Sequence, residues 1–317
     1  MIVRRHYLAI GTVVVATSLV ACQPADRGQP EEASSSAATE TPPDAHVVEV
    51  TARDYAFDAP DEIPSGWTTF RMTNAGEQEH FLYVYRLPEN KTYQEFLEEV
   101  IVPFGKVWEQ YDSGEIDRTE AEAGLGSGIA GWFFTEVEPS GGPALTEPGE
   151  TSQTTVRLEP GIYVMECYVK TPDGQWHTEL GMQREFTVTA DSTGALPPRA
   201  DVELTLSNYE ITTSGELTAG TRTVAVHVEE NPEGFMLHDL NLFRLEGGTE
   251  VGEIVEWMDW MDLEGFRAPA PGYSLGGVEH MAAGRTGYMT VELEPGNYAW
   301  VSEGYGIRGM VEEFSIE

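Results

Sequence analysis

The chain has 317 residues, with 18 Lys and Arg against 54 Asp and Glu, a formal charge of −36. That length suits two domains of ordinary size. The acidity leaves little to neutralise phosphates, which excludes nucleic acid as a partner; a high-salt habitat or a basic redox partner would each explain it.

Taken from its start, the chain opens with Arg4 and Arg5 and then an apolar run from Tyr7 to Ala21, too short to span a bilayer comfortably. This predicts a signal peptide over residues 1–21. The run ends in Leu19-Val20-Ala21-Cys22, which resembles the lipobox of bacterial lipoproteins. The resemblance implies cleavage before Cys22 and lipidation of Cys22, the alternative being an ordinary signal peptide with an incidental cysteine. The expected location is then the cell envelope, held to a membrane by lipid and facing the periplasm or the exterior. By analogy with Gram-negative lipoproteins, Gln23 in place of Asp favours the outer membrane. Residues 22–45, rich in Pro, Ser, Ala, Thr and Glu, cannot bury enough apolar surface to order themselves and read as a tether.

The rest of the chain repeats itself. The first copy gives Asn74-Ala75-Gly76, His80, Arg86-Leu87, then Leu158-Glu159-Pro160-Gly161-Ile162-Tyr163, Gly181-Met182 and Phe186. The second gives His238, Arg244-Leu245, Leu293-Glu294-Pro295-Gly296-Asn297-Tyr298, Gly309-Met310 and Phe314 in the same order. Each copy exceeds a hundred residues, too long for a solenoid unit, so the repeat predicts duplicated domains over 46–190 and 201–317. Residues 191–200, with Pro197-Pro198, read as the linker. Short β-branched and aromatic segments between Gly and Pro turns predict a sandwich or barrel. In the first copy these are Val47–Thr51, Thr68–Met72, Phe81–Tyr85, Thr154–Leu158, Tyr163–Val169 and Phe186–Thr189. In the second they are Val202–Leu206, Arg222–Val228, Leu240–Leu245, Gly287–Leu293 and Asn297–Val301.

A helical patch interrupts each copy after its Arg-Leu pair. Thr92-Tyr93-Gln94-Glu95 is a capping box, followed by Phe96, Leu97, Val100, Ile101, Val107 and Trp108 at helical spacing, with a bend expected at Pro103. Val251, Ile254, Val255, Met258 and Met261 repeat the pattern. These helices are expected to pack on the sandwich, although Trp257-Met258-Asp259-Trp260-Met261 leaves a partner-binding role open.

If Cys22 carries lipid, Cys167 has no partner for a disulfide. A lone thiol in an oxidising compartment is either buried and structural or bound. Its companions are His80, His177 and Met182. A soft thiolate, two imidazoles and a weak axial thioether form the donor set of a blue copper site. Here the chain resembles the cupredoxin family, which includes plastocyanin and azurin. Asn74-Ala75-Gly76 before His80 is similar to the region of the first His ligand. Pro160-Gly161-Ile162-Tyr163 leading to Cys167 is similar to the Cys-bearing strand. His177-Thr178-Glu179-Leu180-Gly181-Met182 has the His-x-x-x-Gly-Met form of the last two ligands. The resemblance implies an all-β fold of two tandem cupredoxin-like Greek-key β-sandwiches, each with a short helical insertion. It also implies one copper ion in the first domain, with His80, Cys167 and His177 equatorial and Met182 axial. A metal-free relic of the fold and a zinc or other soft-metal site are the alternatives.

Nine residues separate Cys167 from His177, more than in ordinary cupredoxins. Thr171-Pro172-Asp173-Gly174-Gln175 supplies the reason, as a three-residue hairpin loop with Gly174 in the left-handed region. It would pair Thr171 with Gln175, Val169 with His177 and Cys167 with Glu179, placing His177 diagonal to Cys167 on one sheet face. A tighter four-residue turn would shift the register by one and point His177 away.

In the second copy Ser302 stands opposite Cys167 and Tyr305 opposite His177, leaving His238 and Met310. Type 1 copper is not expected there. No His-x-His pair, phosphate loop or zinc protease motif is present, so an enzyme is not expected. The function read from the sequence is electron transfer or copper handling, with a redox or copper-exchange protein as partner. The alternative is a metal-free interaction module at the membrane surface.

Overall fold

The computed structural model describes residues 44–233 and 236–317. Cys22, the leader and nearly all of the tether lie outside the described residues. Where description begins, the expected segments fold as strands. The first copy forms β1 (His46–Arg53), β2 (Ala56–Asp58), β3 (Glu62–Asn74), β4 (Tyr83–Arg86), β5 (Glu138–Gly141), β6 (Thr151–Leu158), β7 (Gly161–Glu166) and β8 (Gln183–Ser192). The second forms β9 (Val202–Ser207), β10 (Glu210–Ser214), β11 (Gly220–Glu230), β12 (His238–Arg244), β13 (Tyr273–Met281), β14 (Thr286–Leu293), β15 (Gly296–Val301) and β16 (Val311–Ile316). The architecture is all-β with helical insertions. Side chains alternate as a half-buried strand requires: in β1, Val48, Val50 and Ala52 point inward between more exposed neighbours. Each such Val is worth roughly 1.5–3 kcal/mol on full burial.

The two copies carry the same pairings. β1 lies parallel to β3, and β3 antiparallel to β6; β9 lies parallel to β11, and β11 antiparallel to β14. β4, β7 and β8 form one antiparallel ladder, and β12, β15 and β16 the matching one. The shared Pro-Gly-x-Tyr motif has a packing reason. Tyr163 donates its hydroxyl to the Glu159 carbonyl at 2.9 Å, and Tyr298 to that of Glu294 at 2.7 Å, so each ring pins the turn that starts its strand.

The copies are not separate bodies of structure. β14 pairs with β6 and β13 with β5, which gives a single hydrogen-bonded path through both. One hydrophobic cluster belongs to the second copy. The other joins the first copy to Phe243, Ile254, Met258, Met261 and Phe266 of the second. Residues 193–200 have no helix or strand, and β8 reaches two residues into the expected linker.

The first insertion contains α1 (Tyr93–Phe96), a π turn (Leu97–Ile101), α2 (Val102–Asp112), α3 (Arg118–Gly128) and α4 (Gly131–Thr135); the second contains α5 (Val251–Trp257). The Thr92–Glu95 capping box forms. The irregularity expected at Pro103 takes the form of the π turn immediately before it, where the helix accommodates a residue with no N–H to give. The glycines at 124, 126 and 128 hide α3 from propensity reasoning; its Asp117–Glu120 capping box is the sequence signal.

Candidate metal centre

Three side chains from distant parts of the chain meet in the first copy. Cys167 follows β7, and its N–H donates to the Met182 carbonyl at 3.0 Å. His80 sits on an isolated antiparallel bridge with Thr146, just before β4. His177 closes the inserted hairpin. The Sγ of Cys167 lies 3.7 Å from Nδ1 of His80 and 3.7 Å from Nδ1 of His177. The three ligand atoms lie within 4.8 Å of one another, and all three residues are buried. The imidazoles meet at 4.9 Å and 61°.

The hairpin behaves as its sequence dictates. Thr171 N–H donates to Gln175 O at 2.8 Å and His177 N–H to Val169 O at 2.9 Å, the expected register. Gly174 has φ +93°, the left-handed conformation the loop needs. One expected pair does not form. The chain turns at Thr178–Gly181 instead of continuing as a strand, so Cys167 bonds Met182 rather than Glu179. That turn brings Met182 back, its N–H on His177 O at 2.9 Å. Met182 is fully buried, and its main chain ties Cys167 to His177.

The outward nitrogens fix the inward ones. His80 Nε2 lies 2.7 Å from Oδ1 of Asp54, and His177 Nε2 lies 3.1 Å from Oε1 of Gln78. A carboxylate and an amide oxygen only accept, so each Nε2 carries the proton and each Nδ1 presents its lone pair to the sulfur. Gln78 is itself oriented by Nε2, which donates to the Tyr55 hydroxyl at 2.9 Å, and the Tyr55 ring lies 4.7 Å from that of His177. Asn74 organises the loop beneath: Nδ2 donates to Gln78 O and Thr146 O, both at 2.8 Å, and Oδ1 accepts from Gly76 N. Sequence reasoning missed Asp54, Tyr55 and Gln78. Asp54 is 26 positions from His80, and only the fold brings them together.

Burial pushes the Cys167 thiol well up. It pulls His177 down to about 3, with His80 adding to the effect. His80 is lowered as well, by burial, with its bond to Asp54 opposing. Both imidazoles are therefore neutral donors. One S–H proton can satisfy only one of the two Nδ1 lone pairs, so at least one is left in a dry pocket without a donor. A cation fits that need. The 3.7 Å separations are shorter than the sum of typical zinc–nitrogen and zinc–sulfur bonds, roughly 4.3 Å, so one ion of that size reaches both. Soft sulfur with two imidazoles suits copper.

The second copy holds the ligand hairpin in place. Lys170 is fully buried, and its Nζ donates to the carbonyls of Trp260, Asp262 and Gly265 at 2.9, 2.7 and 2.8 Å. It also sits against the Trp108 and Trp176 rings, 4.5 and 4.6 Å from their centres. Burial draws Lys170 down to about 7. Three carbonyl acceptors need three N–H groups, however, which only the ammonium carries. Tyr111 donates to Met261 O, and Arg118 grips Asp259 with two bonds of 2.6 and 2.9 Å. The Met- and Trp-rich segment of the second copy thus packs against the first.

Next to Cys167, the Tyr168 hydroxyl lies 2.8 Å from His280 Nε2 and 3.0 Å from Glu303 Oε2. His280 Nδ1 is 2.9 Å from Leu237 O and so carries that ring's proton. The Tyr168 hydroxyl donates to Glu303 Oε2. Burial raises Glu303 and Glu279 well above the usual carboxyl range, and each has an unpartnered buried oxygen. Asp239 is also raised by burial. It accepts from Ser302, Asn241 and the Glu303 N–H, so the charge of this cluster rests on Asp239 and the protons on the two glutamates.

No family model matches the sequence, and no curated protein matches it. Among solved structures, auracyanin of Roseiflexus castenholzii is 20% identical, over 46% of this chain and 99% of its own, at a TM-score of 0.25. Auracyanin A of Chloroflexus aurantiacus, a "blue" copper protein, is 18% identical over 45% and 98%, at 0.27. A multicopper oxidase is 13% identical over 86% and 88%, at 0.23. At these scores the case for a metal rests on the donor set, not on the likeness.

Proposed function

We propose that the protein is a cupredoxin of two tandem domains, held at the cell envelope by a lipid on Cys22, which carries electrons on one copper ion in its first domain. His80, Cys167 and His177 are the proposed equatorial ligands and Met182 the axial one. The single observation that carries this reading is the convergence of one thiol and two Nδ1 lone pairs in a buried pocket. Copper, when bound, supplies one-electron exchange. The chain supplies a rigid, dry frame: a main-chain bond from Cys167 to Met182, a hairpin register that fixes His177, and acceptors that orient both rings. Such a frame disfavours rearrangement when the ion changes charge. With no His-x-His pair for a second copper centre, we read the protein as a carrier rather than an enzyme. Its acidity suits a basic redox partner.

Titration of the full chain with Cu(II) tests the reading. We expect intense visible thiolate-to-copper absorption that saturates at one equivalent, reverses in voltammetry and vanishes in Cys167→Ser. Absence of colour, or colour that survives Cys167→Ser, would overturn it.

A further inference from the structure

The two imidazoles are braced differently. Gln78, behind His177, is a neutral amide; Asp54, behind His80, is a carboxylate. The His80 side chain is 0% exposed and that of Asp54 22% exposed, so the pair is only partly screened by solvent. Asp54 is held in turn, its Oδ2 accepting from Glu77 N at 2.9 Å. The adjoining loop is shaped around the contact: a Cβ on Gly76 would come within 2.3 Å of Asp54 Oδ1 and 2.7 Å of His80 Nε2. Only glycine permits this approach.

The second copy offers an internal control. Val48 to Tyr55 reads Val-Glu-Val-Thr-Ala-Arg-Asp-Tyr, and Val202 to Tyr209 reads Val-Glu-Leu-Thr-Leu-Ser-Asn-Tyr, on strands with matching parallel pairings. Asn208 stands where Asp54 does. Its side chain donates to Glu230 Oε2 rather than to His238, which faces backbone groups of Asn208 and Glu230. Neither ring nitrogen of His238 makes a hydrogen bond of ordinary geometry. Tyr209 packs on Tyr305 as Tyr55 packs on His177. The copy that has lost the thiol and one imidazole also lacks the carboxylate, while the neighbouring aromatic contact remains.

We infer that Asp54 is a positioning residue of the metal centre, which orients His80 and, through its negative charge, holds the bound ion in its more highly charged state. The inference rests on the copper reading above. A ligand imidazole that donates to a carboxylate is a stronger electron donor than one that donates to an amide, and an anion this close favours a dication over a monocation.

Reduction potentials and the separate Cu(II) and Cu(I) affinities of D54N and Q78E test this. D54N places in the first copy the residue of the second. It should keep its colour, lose about tenfold more affinity for Cu(II) than for Cu(I), and rise in potential by about 59 mV for that tenfold. Q78E sets a carboxylate behind His177 and should move the potential the opposite way. It also keeps the test open should D54N fold poorly. A merely structural role would weaken both oxidation states alike and leave the potential in place. Coloured D54N at unchanged potential, or both variants shifting in one direction, would overturn the inference alone. A colourless wild-type chain would overturn the copper reading and this inference together.

Discussion

The same backbone is built twice and furnished with different side chains. In the first copy Cys167 N donates to Met182 O at 3.0 Å, Met182 N to His177 O at 2.9 Å and Gln183 N to Gly181 O at 2.8 Å. In the second, Ser302 N donates to Met310 O at 3.2 Å, Met310 N to Tyr305 O at 3.1 Å and Val311 N to Gly309 O at 2.8 Å. The frame is shared, and besides the Asp54-to-Asn208 change the chemistry departs from it at two ligand positions. Where the first copy has a thiol facing two lone pairs, Ser302 gives its hydroxyl to Asp239 and Tyr305 gives its own to Met236 O. In the second pocket the residues at these two positions spend their polar groups on internal bonds. The first leaves lone pairs for a ligand.

The largest expected effect is at the sulfur. Cys167→Ser makes the first copy resemble the second and should abolish the thiolate absorption entirely, leaving the fold intact by circular dichroism. A large stability effect is expected where the copies join. Lys170→Met would remove the ammonium that the Trp260, Asp262 and Gly265 carbonyls share, the bond to Gly265 O being the buried one; at about 1–3 kcal/mol for a buried group left unsatisfied, we expect chemical denaturation to show a loss of about 3 kcal/mol. A gain in stability would show that burying the ammonium costs more than its bonds return.

Acid should stabilise the junction. Glu279 and Glu303 hold protons in the fold that they release near pH 4 when unfolded. These two groups bind more protons folded than unfolded above that point, so their contribution to stability falls as pH rises from about 4 until they themselves ionise, while the buried His177 and His280, lowered to about 3 and about 4, contribute in the opposite direction below about pH 6.5. Denaturation in about 1 M salt, which screens the acidic surface to roughly 3 Å, should still show less stability at pH 8 than at pH 5. The double variant E279Q/E303Q should flatten the profile. The smallest expected effect is an absence: Ser302→Cys restores a thiol but no second imidazole, and copper titration should yield no additional coloured site.

Much of the first pocket was legible in the sequence because its donors sit in local motifs. Pro-Asp-Gly fixes the hairpin register that brings His177 toward Cys167, and Gly-Met marks the turn that returns Met182. What was not legible is non-local. Asp54 reaches His80 through a parallel strand pair, and Lys170 reaches Trp260 across the junction of the copies. Neither has a spacing that sequence can register. β2, β5, β10, β13 and β16 were also passed over; β5 carries Pro139 and Gly141, and β13 carries adjacent Gly276 and Gly277, residues that propensity assigns to turns.

X-ray absorption at the copper edge, on the full chain loaded with one equivalent, tests the central claim most directly. We expect one short sulfur and two nitrogen neighbours, with the sulfur gone in Cys167→Ser. A shell of oxygen and nitrogen alone in the wild-type chain would show that the ion binds elsewhere and that the buried thiol is structural.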